Sequence, residues 1–240
     1  MGNSLLIYLN KRLHEESSYK KEPATTAGPV ITISREVGCN GLKLANLMAE
    51  KFNREKMVTD WKVLSKEIFY KSAKELDVEP ERVRKMLKQT DRYTFDEILK
   101  AFQYKQFKSE RKITKTVFDV VRSFSIDGFC IIVGRAGHLI AGDIKNALHL
   151  RLVAPFDYRV KVIMENNKLS REEATVFIQH VEKERIAFRK AILQGRKVDD
   201  FFDLTINRAS FSDEEVVDIV ECAAKEKGLF NLNHPKMEFY

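Results

Sequence analysis

Cysteine is scarce in this chain of 240 residues. Cys39, Cys130 and Cys222 lie far apart, are odd in number and form no Cys-x-x-Cys pair, which argues against a disulfide framework and a zinc knuckle. Cys130 and Cys222 read as small buried hydrophobes; Cys39 reads either as a reactive thiol or as a tolerated small residue. The five histidines (His14, His138, His149, His180, His234) show no metal-ligand spacing. No apolar run approaches the roughly 20 residues that a membrane span needs. The stretch Leu5-Leu-Ile-Tyr-Leu9 is too short for a signal peptide and lacks a charged region before it and a small-residue cleavage site after it. Leu6 occupies the position where a myristoylation signal has Ser or Thr. A cytoplasmic protein without a membrane partner is the expectation. The charge balance is +7, but Lys and Arg are mixed with Asp and Glu, with no basic tail and no recognisable nucleic-acid module. That pattern fits a solvated helical surface or small phosphate-bearing ligands, and not nucleic acid.

Hydrophobic content of 44% and charged content of 32% leave room for one sizeable α/β core. Leu5, Leu6, Leu9 and Leu13 fall at helical spacing, and Lys20–Pro29 reads as a linker, so residues 1–29 form an N-terminal helix and linker serving packing or a homodimer contact. From Val30 the chain alternates strands with helices. Val30–Ser34 is a strand, and Leu44, Leu47, Met48 and Phe52 make the apolar stripe of the helix after it. A second strand is expected to end at Thr59-Asp60. Residues 61–125 read as a helical insertion, with Ile113, Val117, Val120, Val121 and Phe124 on one face. Phe129–Val133 and Ala147–Val153 read as buried strands. Ser170-Arg-Glu-Glu173 and Ser212-Asp-Glu-Glu215 are capping boxes opening two further helices, and Phe201–Asn207 is the last strand. Residues 231–240 are a tail. Alternation of this kind gives a mainly parallel sheet with helices on both faces.

In such sheets ligands bind outside the carboxyl ends of the strands. The polar residues expected there are Gly38–Lys43, Asp60, Arg135 and Asn207-Arg208. The segment Val30-Ile-Thr-Ile-Ser-Arg-Glu-Val-Gly-Cys-Asn-Gly41 reads as strand, turn and helix start, an arrangement whose backbone N–H groups suit a phosphate. Against the pattern G-x-x-x-x-G-K-[ST] it departs at several places. Ser34 or Arg35 stands where the first glycine belongs, Lys43 follows Gly41 by two residues instead of one, and Leu44 follows Lys43. A turn without ligand is the plainer alternative. Arg35 equally reads as a loop-stabilising residue paired with Glu36 or a neighbouring carboxylate, Asp60 as a helix cap, and Arg159 and Arg189 as surface charges. Arg185, on the apolar stripe of Ala174, Phe177, Ile178, Val181 and Phe188, needs a partner or a ligand.

Ile31-Thr-Ile-Ser-Arg-Glu36, Gly38-Cys-Asn-Gly41, Val133-Gly-Arg-Ala-Gly137, Ala154-Pro-Phe-Asp-Tyr-Arg159 and Phe202-Asp-Leu-Thr-Ile-Asn207, in that order, resemble the cytidylate kinase-like family, a divergent bacterial branch of the nucleoside monophosphate kinases. The resemblance implies a phosphate-loop (P-loop) NTPase fold over 30–230, three-layered α/β/α, with an acceptor-binding insertion at about 61–125 and an arginine-bearing lid at about 156–195. It implies transfer of the ATP γ-phosphoryl group, with Mg2+, to a nucleoside monophosphate such as CMP or dCMP, or to a similar small phosphate acceptor. By similarity Ser34, Arg35, Gly38, Cys39, Asn40, Gly41 and Lys43 surround the ATP phosphates. Asp60, Arg135 and Arg159 hold the acceptor, and Lys43, Arg135, Arg185 and Arg189 serve the transfer. When the frames are aligned with ordinary cytidylate kinases, Gly41 stands where those kinases have their loop lysine, as the resemblance implies for other members of this branch too, and Lys43 stands near the magnesium-binding hydroxyl. Arg35 or Lys43 is then the candidate for the missing charge. A nucleotide sensor without catalysis and a kinase for another small acceptor are the rival readings.

Overall fold

A computed structural model gives the architecture over residues 27–54, 59–65, 110–193 and 201–230. The expected N-terminal helix, most of the helical insertion and the tail lie outside the described residues. The chain runs β1 (Val30–Arg35), α1 (Gly41–Arg54), β2 (Lys62–Leu64), α2 (Glu110–Asp127), β3 (Cys130–Val133), α3 (Gly137–Ile140), β4 (Ala147–Val153), α4 (Phe156–Asn167), α5 (Arg171–Leu193), β5 (Leu204–Asn207) and α6 (Asp213–Glu226). The strands form one parallel sheet in the order β2-β3-β1-β4-β5.

The sheet is parallel because every strand-to-strand connection carries intervening chain, and its central strands are apolar on both faces. Ile31 and Ile33 of β1 face α1 and α6, packing with Leu44, Met48, Phe52, Val216 and Val220. Val30 faces the other way, with Ile132, Val121, Phe124, Ile140 and Ile192. A third cluster joins Val37, Val160 and Ile163 to Ala174, Phe177, Ile178 and Val181, holding α4 against α5. The expected stripe of α5 is thus split between two cores, and Arg185 lies where one gives way to the other. Both capping boxes form. Ser212 Oγ accepts from Glu215 N–H and Ser170 Oγ from Glu173 N–H, each at 3.2 Å, while each glutamate accepts the N–H of its serine at 2.8 Å.

Two expectations are corrected. The second strand follows Asp60 instead of ending there, and it occupies residues first read as helical insertion. Trp61 starts it as a pinned residue: its N–H donates to Asn53 Oδ1 at 2.7 Å, and its carbonyl accepts from Asn53 Nδ2 at 3.2 Å. Its ring packs edge-on with Phe52, Phe129 and Phe230. Cys222 is exposed, because α6 buries Val216, Val217, Val220, Glu221 and Ala224 and turns residue 222 outward.

On the α2 side of the sheet Thr32 Oγ1 and His149 Nδ1 share a 2.8 Å hydrogen bond. Burial drives the His149 imidazole from 6.5 down to about 4, aided by His138 and Lys227 and opposed by Asp203. Because the folded value is the lower one, the neutral ring's contribution is complete above pH 6.5 and is lost as pH falls towards and through 4. Urea midpoints measured from pH 8 to pH 4 should therefore decline below 6.5, and His149→Asn should flatten that decline.

Candidate functional site

The carboxyl end of β1 leads into a tight turn. Glu36 N–H still bonds to Leu152 O of β4 at 3.0 Å, and Cys39 N–H closes back on Glu36 O at 3.3 Å. Gly38 has φ +93°, and a Cβ on it would lie 2.9 Å from the Cα and O of Arg159 on α4. Glycine is therefore required twice over, by conformation and by contact. Asn40, at φ +47°, precedes α1, and its Oδ1 accepts from Asn166 Nδ2 at 3.3 Å. Cys39 is buried and its thiol is pushed up to about 11, chiefly by desolvation, so it is a neutral core residue and not a reactive one.

Arg159, expected at the acceptor, is built into the fold. It is buried, its Nε donates to Ala154 O at 3.2 Å and lies 3.4 Å from the Glu36 carboxylate, and its Nη1 pairs with Glu182 on α5. Glu36 also accepts from Ala154 N–H at 3.1 Å. This clamp, and not an Arg35–Glu36 pair, fixes the turn between α4 and α5. Lys43 is also turned aside. Its ammonium is 2.6 Å from Asp213, the first residue of α6, which is shared with buried Arg208. Asp60 is corrected outright: β2 pairs Lys62 with Cys130, the first residue of β3, so Asp60 lies exposed at the amino edge of the sheet. Ser34 is half-buried in β1, in register with Arg151 of β4, and Asn207 Oδ1 merely accepts from Ala209 N–H at 3.0 Å.

What the structure brings together is arginine. Arg35 ends β1. Its stem crosses the face of Gly41, where a Cβ would lie 3.3 Å from Arg35 Cγ. Its guanidinium rests on Gly134, where a Cβ would collide with Nη1 and lie 2.8 Å from Cζ. Gly134, Arg135 and Ala136 have φ of +75°, +51° and +54°, a left-handed turn that leads from β3 into α3. Arg135 holds its guanidinium 6.0 Å from the ring centroid of Phe188 on α5. Arg185 Nη1 donates to the carbonyl of Arg35 at 2.8 Å, across 150 residues of sequence. Arg189 lies one turn further along α5, half-buried.

Burial, followed by the charges of Arg185 and Arg135, pulls the Arg35 guanidinium well below its ordinary value. Burial also pulls Arg185 down to about 10, opposed by Glu182 and assisted by Arg135. Arg35 and Arg185 are both half-buried. Among the described residues no carboxylate bonds to the Arg35 guanidinium. Like charges gathered in a half-desolvated place attract an anion strongly. The left-handed φ of Arg135 is a backbone cost of the kind that collects at functional sites.

Arg135 and Arg185, singled out in the sequence, lie beside Arg35 in the fold, whereas the seating of Arg35 on Gly134 was not anticipated. The signal was the glycine directly after a buried strand, beside a basic residue.

A parallel α/β sheet with a polar turn after its central strand defines the fold class, and the comparisons with known proteins then name the family. A family model described as the cytidylate kinase-like family matches residues 30–210, and the chain belongs to that family. Among solved structures it is similar to an uncharacterized protein from Eubacterium ventriosum, with a TM-score of 0.57 and 19% identity, covering 82% of this chain and 98% of that one. A shikimate kinase from Bacteroides thetaiotaomicron gives a TM-score of 0.45 at 12% identity, with 82% and 98% covered. A curated uronate isomerase of Corynebacterium glutamicum is 32% identical over 116 residues, 47% of this chain, and the match spans about a fifth (21%) of that protein's length.

The Arg159 clamp can be tested separately from the arginine cluster. Arg159→Met should lower unfolding free energy in urea by about 1.5–3 kcal/mol, the usual worth of hydrogen bonds to charged groups.

Proposed function

We propose that this protein is a kinase that transfers the γ-phosphoryl group of ATP to a nucleoside monophosphate, with CMP and dCMP the first acceptors to try. The family supports a kinase acting on a nucleotide or another small molecule. The observation that carries the reading is the convergence of Arg35, Arg135 and Arg185 at the carboxyl edge of β1 and β3. Phosphoryl transfer asks a protein mainly for position and for positive charge around three spreading oxygens. Arginine answers with planar, bidentate donors.

In this reading the turn from Gly38 to Gly41 faces the nucleotide phosphates and Arg135 orients the acceptor phosphate. Its oxygen attacks the γ-phosphorus in line as the bond to the β–γ bridging oxygen breaks, giving ADP and a nucleoside diphosphate. Arg185, anchored through Arg35 O, stabilises the charge on the transferring group, with Arg189 one turn away. The residues present do not fit a resident magnesium ion. Leu42 and Lys43 stand where the loop hydroxyl falls, the clustered donors are cations, and among the described residues no three His, Cys, Asp or Glu side chains gather. Among the described residues no helix is long and apolar enough to cross a membrane.

A second reading, a nucleotide sensor without turnover, is favoured by one feature: the ammonium of Lys43 is committed to Asp213. ADP release with Mg-ATP against CMP, dCMP, UMP and AMP decides between them. Acceptor-dependent release supports the kinase, and nucleotide binding without release supports the sensor.

Arg135→Gly is the sharpest variant, since glycine adopts φ +51° without strain and stability should stay within about 1 kcal/mol. Acceptor KM should rise at least ~10-fold, as loss of a charged hydrogen bond predicts, and an unchanged kcat/KM would remove Arg135 from the acceptor seat.

A further inference from the structure

The phosphate-loop lysine is missing from its place, and three observations show what stands there instead. First, α1 opens on Gly41-Leu42-Lys43. Gly41 offers no side chain, and Lys43 is held by Asp213 at the corner between β5 and α6. Second, the face of Gly41 is covered by the stem of Arg35. A Cβ at that glycine would meet Arg35 Cγ at 3.3 Å, Cδ at 3.4 Å and Ile33 Cγ2 at 3.5 Å. The glycine is therefore the clearance through which the arginine passes. Third, the far end of the same side chain lies on Gly134, where any side chain would collide with the guanidinium. Two glycines from two separate strand-end turns clear one path, and Arg185 secures Arg35 from behind through its carbonyl.

We infer that Arg35 replaces the phosphate-loop lysine: the cation for the terminal phosphates of a nucleoside triphosphate is supplied from the end of β1, over Gly41, instead of from the first turn of α1. This rests on the kinase reading and says which residue serves which half of the site. Arg35 belongs to the triphosphate and Arg135 to the acceptor. The exchange also changes the chemistry of the contact. A lysine is a point charge on a flexible stem, whereas Arg35 presents a planar fork fixed between two glycines.

The test is isothermal titration of the full-length protein with Mg-ATP and with CMP. The wild-type protein binds Mg-ATP. Arg35→Met keeps the stem over Gly41 and removes the charge; it should weaken Mg-ATP by about 10- to 100-fold, the worth of hydrogen bonds to a charged group, and leave CMP within about 3-fold. Arg35→Ala/Gly41→Lys, which restores an ammonium at the first helical position, should recover most of the Mg-ATP affinity. Gly41→Ala, which keeps every charge and crowds the arginine stem by one methyl, should weaken Mg-ATP several-fold and reads out the same path should Arg35→Met fold poorly. Unchanged Mg-ATP affinity in Arg35→Met, or in Gly41→Ala where Arg35→Met does not fold, overturns the inference and leaves the kinase reading standing. Loss of CMP with retained Mg-ATP also overturns it, by placing Arg35 in the acceptor seat. Wild-type protein that binds no Mg-ATP overturns both.

Discussion

Setting a guanidinium at the carboxyl end of the central strand constrains much of what surrounds it. Arg35 ends β1, after four buried residues and half-buried Ser34, and its side chain runs over Gly41 to Gly134. It can leave only along the surface of α1, and Gly41 keeps that surface bare. It must end beside β3, and Gly134 keeps that position bare as well. The backbone of Arg35 is itself held, since its carbonyl accepts from Arg185 on α5. Removing water from one such charge costs several kcal/mol before any partner is counted, and here the nearest strong influences are two more arginines. Apolar burial on both sheet faces offsets that cost, and among the described residues no carboxylate bonds to the Arg35 guanidinium.

The arginines of the fold divide by whether a carboxylate meets them. Arg159 is pinned by Glu36 and Glu182, Arg208 by Asp213, and Arg122 by Asp143 and the carbonyl of Ile140. These three tie together the turn with α4 and α5, the start of α6, and α2 with the end of α3. A buried arginine with its charge matched is a structural fastener, and breaking one partner is costly. Arg35 carries no such match among the described residues. Electrostatics thus separates fasteners from candidate ligand contacts more clearly than burial does, since Arg159 and Arg208 are more deeply buried than Arg35.

Much of this fold was legible because strong local signals agreed with the tertiary result. Cys130–Val133 is apolar without alternation and Val30–Ile33 is interrupted only by Thr32, as suits strands buried on both faces, and both Ser-x-x-Glu caps formed as read. β2 was not legible. Three residues cannot show a period, and its place is set by pairing with β3 and by Asn53 reaching Trp61. That single shift carried Asp60 to the wrong edge of the sheet. At the site, Arg135 and Arg185 were visible from a glycine-flanked strand end and from a charge on an apolar stripe. The stacking of Arg35 on Gly134 joins residues 99 positions apart, and no local pattern encodes it. Arg159 was misread for the same reason, because its partners Glu36 and Glu182 are distant in sequence.

Glu182 and Arg185, three residues apart on α5, lie on adjoining turns of one face and reach back to the same stretch of chain. Glu182 holds the β1–α1 turn through Arg159, and Arg185 holds β1 itself through Arg35 O. The helix that carries Arg185 is thus bonded to β1 and to the turn after it. A charge positioned in this way need not be gathered when an anion arrives, and preorganised charge is what makes electrostatic stabilisation effective. Two ties from neighbouring turns also fix the rotation of the helix about its axis, which one tie would leave free. The alternative, a long cationic side chain on an untethered helix, would spend part of its attraction on ordering itself. Here that ordering is complete in the fold, since Arg185 is held by its bond to Arg35 O.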